Sequence, residues 1–462
     1  MSHSPKNYLF DALIWLSFIA VYTIAHWFYD IFYQAFFWDE LTVYFRASEY
    51  LYQHQLSILP NAIPDELSRG HPILLLFIFA SAFKLFGVQP IVAHLTAALI
   101  SCIGFYFLFL IAKKFCQPII AYAITLTIFI QPAFISQSIL ILPEMPLLSM
   151  TLAALYFYLN KNYWMCALFT ILALQFKESA IVLPFVFLLS DTIQNHKFSL
   201  KSFYILCIVP LLIGFVAYFT LQYYMRGYFF YPLHTELLSF DTYFIKERWN
   251  DFSKYILSQP AHILILVLLC IAIFRLPKVK SPLNVFPILL LAGVSFLILN
   301  YYLSRYTLYF IAPIYLYTLL EFKTISQSKP YFIYIACATT AIFGIFKWET
   351  NHYTDVDFTP YYHIKNLKQG ISYMNHDTFK NKTVFIGFPM SVCYWNDNNG
   401  YHAKKKFELV FDLNQKTDYK VFTHPGNMAD TLTLNPTDSM ITELRCGYAY
   451  TRIYQTSQST NQ

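Results

Sequence analysis

The sequence predicts an α-helical polytopic membrane protein with about eleven transmembrane helices. Extracytoplasmic juxtamembrane helices and a small extracytoplasmic α/β or α+β domain at the C-terminus complete the expected fold. Three observations carry this reading. Of 462 residues, 57% are hydrophobic and 13% charged, against roughly 25% charged in an average soluble domain. Apolar runs of spanning length recur along the chain, and the lysines and arginines between them fall in alternate loops. An ordinary soluble enzyme is excluded, and no nucleic-acid partner is expected; the net charge is +6, and its placement says more than its sum. Only 12 glycines are present, too few for a fold built on Gly-rich helix crossings or unwound helices.

Spans are placed near 8–28, 90–111, 118–136, 146–160, 163–177, 179–192, 202–222, 260–274, 283–302, 305–320 and 331–347. The first run, Tyr8 to Phe28, has no small-residue cleavage site and is followed by many more, so it reads as a retained span and not a signal peptide. Lys6, Lys113, Lys114, Lys161, Lys197, Lys201, Arg275, Lys278, Lys280, Lys323 and Lys329 then share one side, which the positive-inside rule makes the cytoplasm. Pro72 to Phe86 is apolar but short, about 22 Å as a helix against a hydrocarbon core of about 30 Å. It is laid in the outer interface, with Lys84 reaching to water. The N-terminus is then cytoplasmic and the C-terminal domain outside.

The expected organisation is a transmembrane catalytic domain over 1–347, with a first extracytoplasmic loop at 29–89 and a second at 223–259, followed by an extracytoplasmic soluble domain over 348–462. In that last region a helix is expected over Tyr361–Asn375, with strands at 383–387, 407–411 and 419–423. Six of the eight cysteines read as small buried hydrophobes. Cys393 and Cys446 lie in the polar tail and could pair if that region faces an oxidising compartment, which the sequence leaves open.

The residues able to carry chemistry all fall at the outer membrane face. Trp38-Asp39-Glu40, just past the first span, opens a short helix running to about Tyr52; on it Asp39 and Glu40 point in adjacent directions, so at most one need face a reaction. An interfacial helix cap is the plain alternative. Arg69-Gly70-His71-Pro72 sets His71 at the mouth of the juxtamembrane helix, although a bland loop with an initiating proline has the same sequence. Glu144, between Pro143 and Pro146, is an acid at membrane depth, costly unless paired or hydrated. Lys177-Glu178, Ser304-Arg305-Tyr306 and the loop Tyr223 to Tyr228 with Arg226 complete the set; Lys177 and Glu178 neutralising each other, and Arg305 reaching to the interface, are their ordinary readings. Acids and cations drawn from five distant parts of the chain to one membrane face suit a lipid-linked phosphate substrate.

The order and spacing of these motifs resemble those of the GT-C glycosyltransferases that use polyprenyl-phosphate sugars. Among these the chain is most similar to the protein O-mannosyltransferase, aminoarabinose transferase and related family 39-like enzymes. The resemblance rests on Asp39-Glu40, His71-Pro72 with the apolar helix ending Phe83-Lys84-Leu85-Phe86-Gly87, Pro143-Glu144-Met145-Pro146, Phe176-Lys177-Glu178 and Arg305-Tyr306. It is good to about Asp191, thin to about Leu320 and nearly absent in the tail. Relatives carry His-Pro-Pro or Glu-Lys-Pro where this chain has Gly70-His71-Pro72-Ile73, and Ser or Gly where it has Glu178.

The resemblance implies an inverting transferase in a bacterial inner membrane. Its partners would be a polyprenyl-phosphate-linked sugar donor, an extracytoplasmic glycan, lipid or protein acceptor, and membrane lipid. Asp39 would be the base, with Glu40 and Glu144 orienting the acceptor. His71, Lys177 and Arg305 would hold the phosphate, with Tyr306 and Tyr44 beside them and Arg226 on a loop closing over the site. Metal use stays open, with Asp39, Glu144 or His71 as ligands of a divalent cation if one is used. The rival from another class is a lipid or solute transporter or flippase, which calls for polar residues near the bilayer midplane and interrupted helices in matching halves.

Overall fold

The computed structural model describes residues 5–457 apart from 69, 233–234, 236–239, 276–281, 327–328, 330, 350–353, 413–414, 427–433 and 435–436. Arg69, Lys278 and Lys280 lie outside the described residues, as do the side chains of Lys6 and Arg275. In chain order the helices are α1 (Pro5–Tyr29), α2 (Arg46–Gln53), α3 (Leu74–Phe86), α4 (Pro90–Phe115), α5 (Pro118–Phe129), α6 (Glu144–Leu159), α7 (Tyr163–Phe176), α8 (Val182–Asn195), α9 (Leu200–Arg226, with wider π turns), α10 (Thr242–Ser258), α11 (Pro260–Arg275), α12 (Val285–Leu299), α13 (Leu308–Ile325), α14 (Tyr331–Ile345) and α15 (Pro360–Met374). Proline stands at the first turn of α4, α5, α11 and α15, where its missing N–H has no helical partner to lose and its fixed φ starts the helix.

Among the described residues, five stretches are long and apolar enough to cross a bilayer unaided: Leu9–Tyr29, Pro90–Phe115, Leu200–Arg226, Pro282–Leu299 and Ser304–Ile325. The expected span 118–136 is not continuous. α5 stops at Phe129 and a short helix restarts at Pro132–Gln137, because Pro132 cannot donate to the preceding turn and its ring restricts Gln131 to an extended backbone. The expected loop 223–259 contains the amphipathic α10, which meets α11 at a 96° bend where Gln259-Pro260 interrupts the helix.

The basic ends of the bundle meet as the charge pattern requires. Lys113 Nζ lies 3.0 Å from Asp11, Lys114 Nζ 2.8 Å from Asn160 and Lys323 Nζ 3.5 Å from the Phe115 carbonyl. These contacts tie together the start of α1 and the ends of α4, α6 and α13. Inside the bundle Phe18, Phe105 and Phe129 interlock at ring separations of 4.7–6.4 Å. α4 approaches α6 so closely at Gly104 that a Cβ there would lie 2.6 Å from Ser149 Cα. Lipid offers no hydrophobic drive between helices, so such close packing is the main attraction. Gly104→Val is therefore expected to destabilise the bundle by about 1–3 kcal/mol, seen as a lowered thermal midpoint in detergent; an unchanged midpoint would mean that the two helices separate without cost.

The C-terminal unit packs α15 against a five-stranded sheet of order β2-β1-β3-β5-β4, with β1 Thr383–Ile386, β2 Glu408–Val410, β3 Tyr419–His424, β4 Ser439–Cys446 and β5 Ala449–Gln455. β1 pairs in parallel with β2 and β3; β5 pairs antiparallel with β3 and β4. Gly447, at φ +57, and Tyr448 form the two-residue turn between β4 and β5, where a left-handed backbone matches the strand twist. The Cys393 and Cys446 thiols, whose pairing the sequence leaves open, are both free, and Cys393 is buried with its Sγ against the Pro389 carbonyl.

This unit shares a core with the membrane domain. Phe36, Phe37, Leu41 and Phe45 of the first loop and Phe79 and Phe83 of α3 pack with Leu367, Met390 and Tyr401. Glu49 accepts hydrogen bonds from Asn396 and Asn398, and Arg46 stacks over Trp395 at 4.6 Å. Gly400, at φ +86, sits so close to Ala35 that a Cβ would come within 2.9 Å of its Cα. The first loop is thus clamped between the bundle and the tail.

Candidate active site

At the end of the bundle opposite the clustered lysines, the first loop, α6, the α7–α8 turn, the start of α13 and the linker after α14 converge on Arg305. Trp38 takes a left-handed backbone, φ +46, at a cost of roughly 1–2 kcal/mol for a non-glycine residue, and Asp39 follows at the head of the helical turn Glu40–Phe45. Asp39 makes no capping hydrogen bond to that turn. Its carboxylate reaches Arg305 Nη2 instead, so the plain capping alternative does not describe it. Arg305 Nε stands 3.7 Å from Glu144 Oε1 and Nη1 3.6 Å from Asp355 Oδ2. Lys177 Nζ donates to Glu144 Oε1 at 2.9 Å and lies 3.4 Å from the centre of the Tyr306 ring.

One planar guanidinium is thereby shared among three carboxylates from three separated elements, an arrangement its fork of donors permits and an ammonium does not. The Glu144 carboxylate on one side and the Tyr306 ring face on the other hold the Lys177 charge, so a buried ammonium here has the partners that burial of a charge demands. Asp355 is raised above the ordinary aspartate range by burial, against the opposing pull of Arg305. Glu144 is 4% exposed and Asp39 38%, so Asp39 is the more open of these two acids.

Beside the cluster opens a cavity of about 890 Å³, lined on the near side by Trp38, Asp39, Tyr44, His71, Arg305 and Tyr306. Asp251, Lys254 and Tyr255 of α10, the Tyr301–Ser304 loop and Thr354–Val356 line the far side. His71 Nδ1 is 3.1 Å from Glu178 Oε2, and its ring lies parallel to that of Tyr44 at 6.4 Å. Lys177 and Glu178 therefore do not form a closed pair in their turn; they bind Glu144 and His71, on two other elements.

Glu144 and Lys177 line a smaller pocket next to this cavity, whereas two expected site residues, Glu40 and Arg226, line neither. Glu40 is 2% exposed and turns inward, within 3.2 Å of His94 Nε2, 3.0 Å of the Ile141 N–H and 3.3 Å of the Phe37 N–H. It anchors the backbone that carries Asp39. Arg226 is engaged by the Pro60 and Ile63 carbonyls, Asp65 and Tyr228, which fixes the end of α9 to the first loop. Glu40→Gln keeps the two contacts at Oε1, gives up the 3.3 Å one from the Phe37 N–H, and is expected to leave turnover within a few-fold of wild type. Glu40→Ala strands the Ile141 N–H and is expected to lose about 1–3 kcal/mol of stability. A Glu40→Gln enzyme that folds normally but is inactive would return Glu40 to the chemistry.

Sequence reasoning missed Asp355, Asp251, Lys254, Tyr255 and Tyr302, all on the cavity wall. Asp355-Val356-Asp357 directly after the last span was the available signal. His94, an ionisable residue within an apolar helix, was the signal for the role of Glu40. Among the described residues no three His, Cys, Asp or Glu side chains are grouped to hold a metal ion. Asp39 and Glu144 are both turned to Arg305, and His71 to Glu178.

The fold is a helical bundle with a charged cavity at its polar end and a sheet unit packed on its first loop. Residues 70–219, about a third of the chain, match the dolichyl-phosphate-mannose-protein mannosyltransferase family. The chain is similar to ArnT from Cupriavidus metallidurans bound to undecaprenyl phosphate, with a TM-score of 0.56 and 12% identity over 97% of this chain and 98% of that one. Against the same protein in the apo state the TM-score is 0.57, with 12% identity over 96% and 98%. A further match is the archaeal oligosaccharyltransferase AglB from Archaeoglobus fulgidus in complex with an inhibitory peptide and a dolichol-phosphate, at a TM-score of 0.48 and 12% identity over 87% and 65%. No curated protein sequence matches the chain. On the family match and the fold, the chain is classed as a glycosyltransferase of the GT-C type.

Proposed function

We propose that this protein transfers a sugar, with inversion, from a polyprenyl-phosphate donor to a hydroxyl group on the outer face of a bacterial inner membrane. The observation that carries the reading is the chain Lys177–Glu144–Arg305–Asp39, which sets two cations and an open carboxylate beside one membrane-face cavity. A donor of the undecaprenyl-phosphate class is supported by the family match and by the undecaprenyl phosphate bound to the similar ArnT.

A sugar on a lipid phosphate already has a good leaving group, so the protein must neutralise phosphate charge and take one proton. Arg305 and Lys177, with His71 at the cavity edge, hold the phosphate. Asp39 accepts the proton of the acceptor hydroxyl as its oxygen bonds to C1 from the face opposite the phosphate. The C1–O bond to phosphate breaks, its electron pair stays on the phosphate oxygen, and polyprenyl phosphate leaves. The roles parallel those of an inverting glycosidase, with the acceptor hydroxyl in place of water. Glu144, pinned between Lys177 and Arg305, fixes the spacing of the two cations.

The test is mass spectrometry of envelope lipids and glycans from cells with the wild-type gene, a deletion, and the deletion complemented by the wild type. Loss of one sugar mass on deletion and its return on complementation is expected, and the mass names the sugar. Identical profiles in all three strains would overturn the transferase reading and favour transport or binding.

A further inference from the structure

Resting on that reading, we propose that Asp355 and Tyr302 form the acceptor subsite, and that the acceptor it takes is a neutral polyhydroxylated glycan. Charge is unevenly placed along the cavity. Arg305 lines it with Lys177 behind, partly offset there by Asp39 and Glu144, whereas the far wall carries Asp251 and Asp355, and the cation there, Lys254, stands 3.7 Å from Asp251. A phosphate drawn to Arg305 and Lys177 leaves the Asp251–Asp355 side for a partner that carries no negative charge, since like charges close together repel strongly in a partly buried site.

The hydrogen-bonding state of that wall says what the partner must supply. The Asp355 carboxylate is 21% exposed, and its Oδ2 stops 3.6 Å from Arg305 Nη1 and makes no hydrogen bond to any described residue. The Tyr302 hydroxyl, also buried, has Ser304 as its side-chain partner and sits near enough to Asp355 for their charges to interact. Buried polar atoms are hydrogen-bonded in the great majority of cases, and an unsatisfied carboxylate oxygen beside a phenol on one cavity wall calls for a partner. A carboxylate asks for a donor and a phenol accepts or donates; a sugar bearing several hydroxyls meets both at once. Tyr255, Tyr301 and Tyr306 add flat apolar faces to the same cavity, and polar groups among aromatic rings make a site suited to a ring with an apolar face and hydroxyl edges. Other groups facing Asp355 are Arg305, Glu144 and Asp357, with Tyr255 at longer range; each except Arg305 is neutral or negative, which again disfavours an anionic acceptor.

The experiment uses the full chain in nanodiscs loaded with undecaprenyl phosphate. Saturation-transfer NMR is recorded with neutral mono- and disaccharides of glucose, galactose, mannose and N-acetylglucosamine. At least one saccharide is expected to receive saturation from the wild type and to lose it, at least tenfold in affinity, in Asp355→Asn and in Tyr302→Phe. Undecaprenyl phosphate affinity is expected to stay equal or to rise in Asp355→Asn, which takes one carboxylate from Arg305, and to stay within twofold in Tyr302→Phe. No saccharide signal with the wild type, or a signal that survives both substitutions, overturns the proposal. So does a tenfold loss of undecaprenyl phosphate affinity in both variants, which would place these residues on the donor side. Failure of the wild type to bind undecaprenyl phosphate at all is a separate result and overturns the donor assignment instead.

Discussion

Arg305→Lys is expected to lower sugar transfer by on the order of 10²–10³-fold, the loss typical of removing one preorganised electrostatic contact at a reacting centre. The substitution keeps the charge, so the comparison isolates geometry. The guanidinium reaches Asp39, Glu144 and Asp355 from its separate nitrogens, whereas an ammonium is a single point with three donors. A lysine at this place can neutralise one or two of the three acids, and the remaining carboxylate relaxes toward water and carries its loop with it. Stability is expected to fall less than for Arg305→Leu, which leaves buried charge unpaired and should cost about 3–5 kcal/mol. Transfer is read by restoration of the sugar mass in the deletion strain and folding by the thermal midpoint of the purified protein. An Arg305→Lys protein with transfer near wild type would show that only net charge matters there, and the shared-guanidinium account would fail.

The helical frame was legible in the sequence because bilayer chemistry is blunt: apolar length and the side on which lysines fall suffice. The contacts Lys113–Asp11 and Lys114–Asn160 at one end, and the meeting of Asp39, Glu144, Lys177 and Arg305 at the other, follow from that frame. Less legible was everything that depends on a partner far away in sequence. Asp39 and Glu40 are adjacent acids with the same local pattern, and only the position of His94 and the Ile141 N–H decides that Glu40 turns inward. Lys177 and Glu178 read as a self-neutralising pair until α6 and the first loop supply closer partners. In the tail, β4 and β5 both escaped notice: most of β4 is exposed or half-exposed, so it lacks the alternation that marks a half-buried strand, and β5 alternates in burial but carries polar and charged residues among its apolar ones. Asp355 was passed over for a different reason: a polar linker beyond the last apolar run carries no periodic signal, and its place on the cavity wall is set by the docking of the whole C-terminal unit.

Asp39→Asn separates binding from chemistry. Without a base on the acceptor hydroxyl, transfer is expected to fall by about 10²–10⁴-fold, the usual range for positioned general-base catalysis. The same substitution removes a negative charge that holds Arg305 Nη2 in the unliganded site. A donor phosphate competes with Asp39 for that guanidinium, so the affinity for undecaprenyl phosphate is expected to stay equal to wild type or to rise. The two effects move in opposite directions, a result that a purely structural role for Asp39 does not produce, because a collapsed loop would weaken donor binding along with transfer. Binding is measured by titrating undecaprenyl phosphate into nanodisc-embedded protein, and transfer by the sugar mass in the complemented deletion strain. If donor affinity drops in step with transfer, Asp39 serves as a strut for the first loop; if transfer persists, the proton leaves by another group, and Asp355, which lies on the same cavity and is held above the ordinary aspartate range by its burial, is the carboxylate to substitute next.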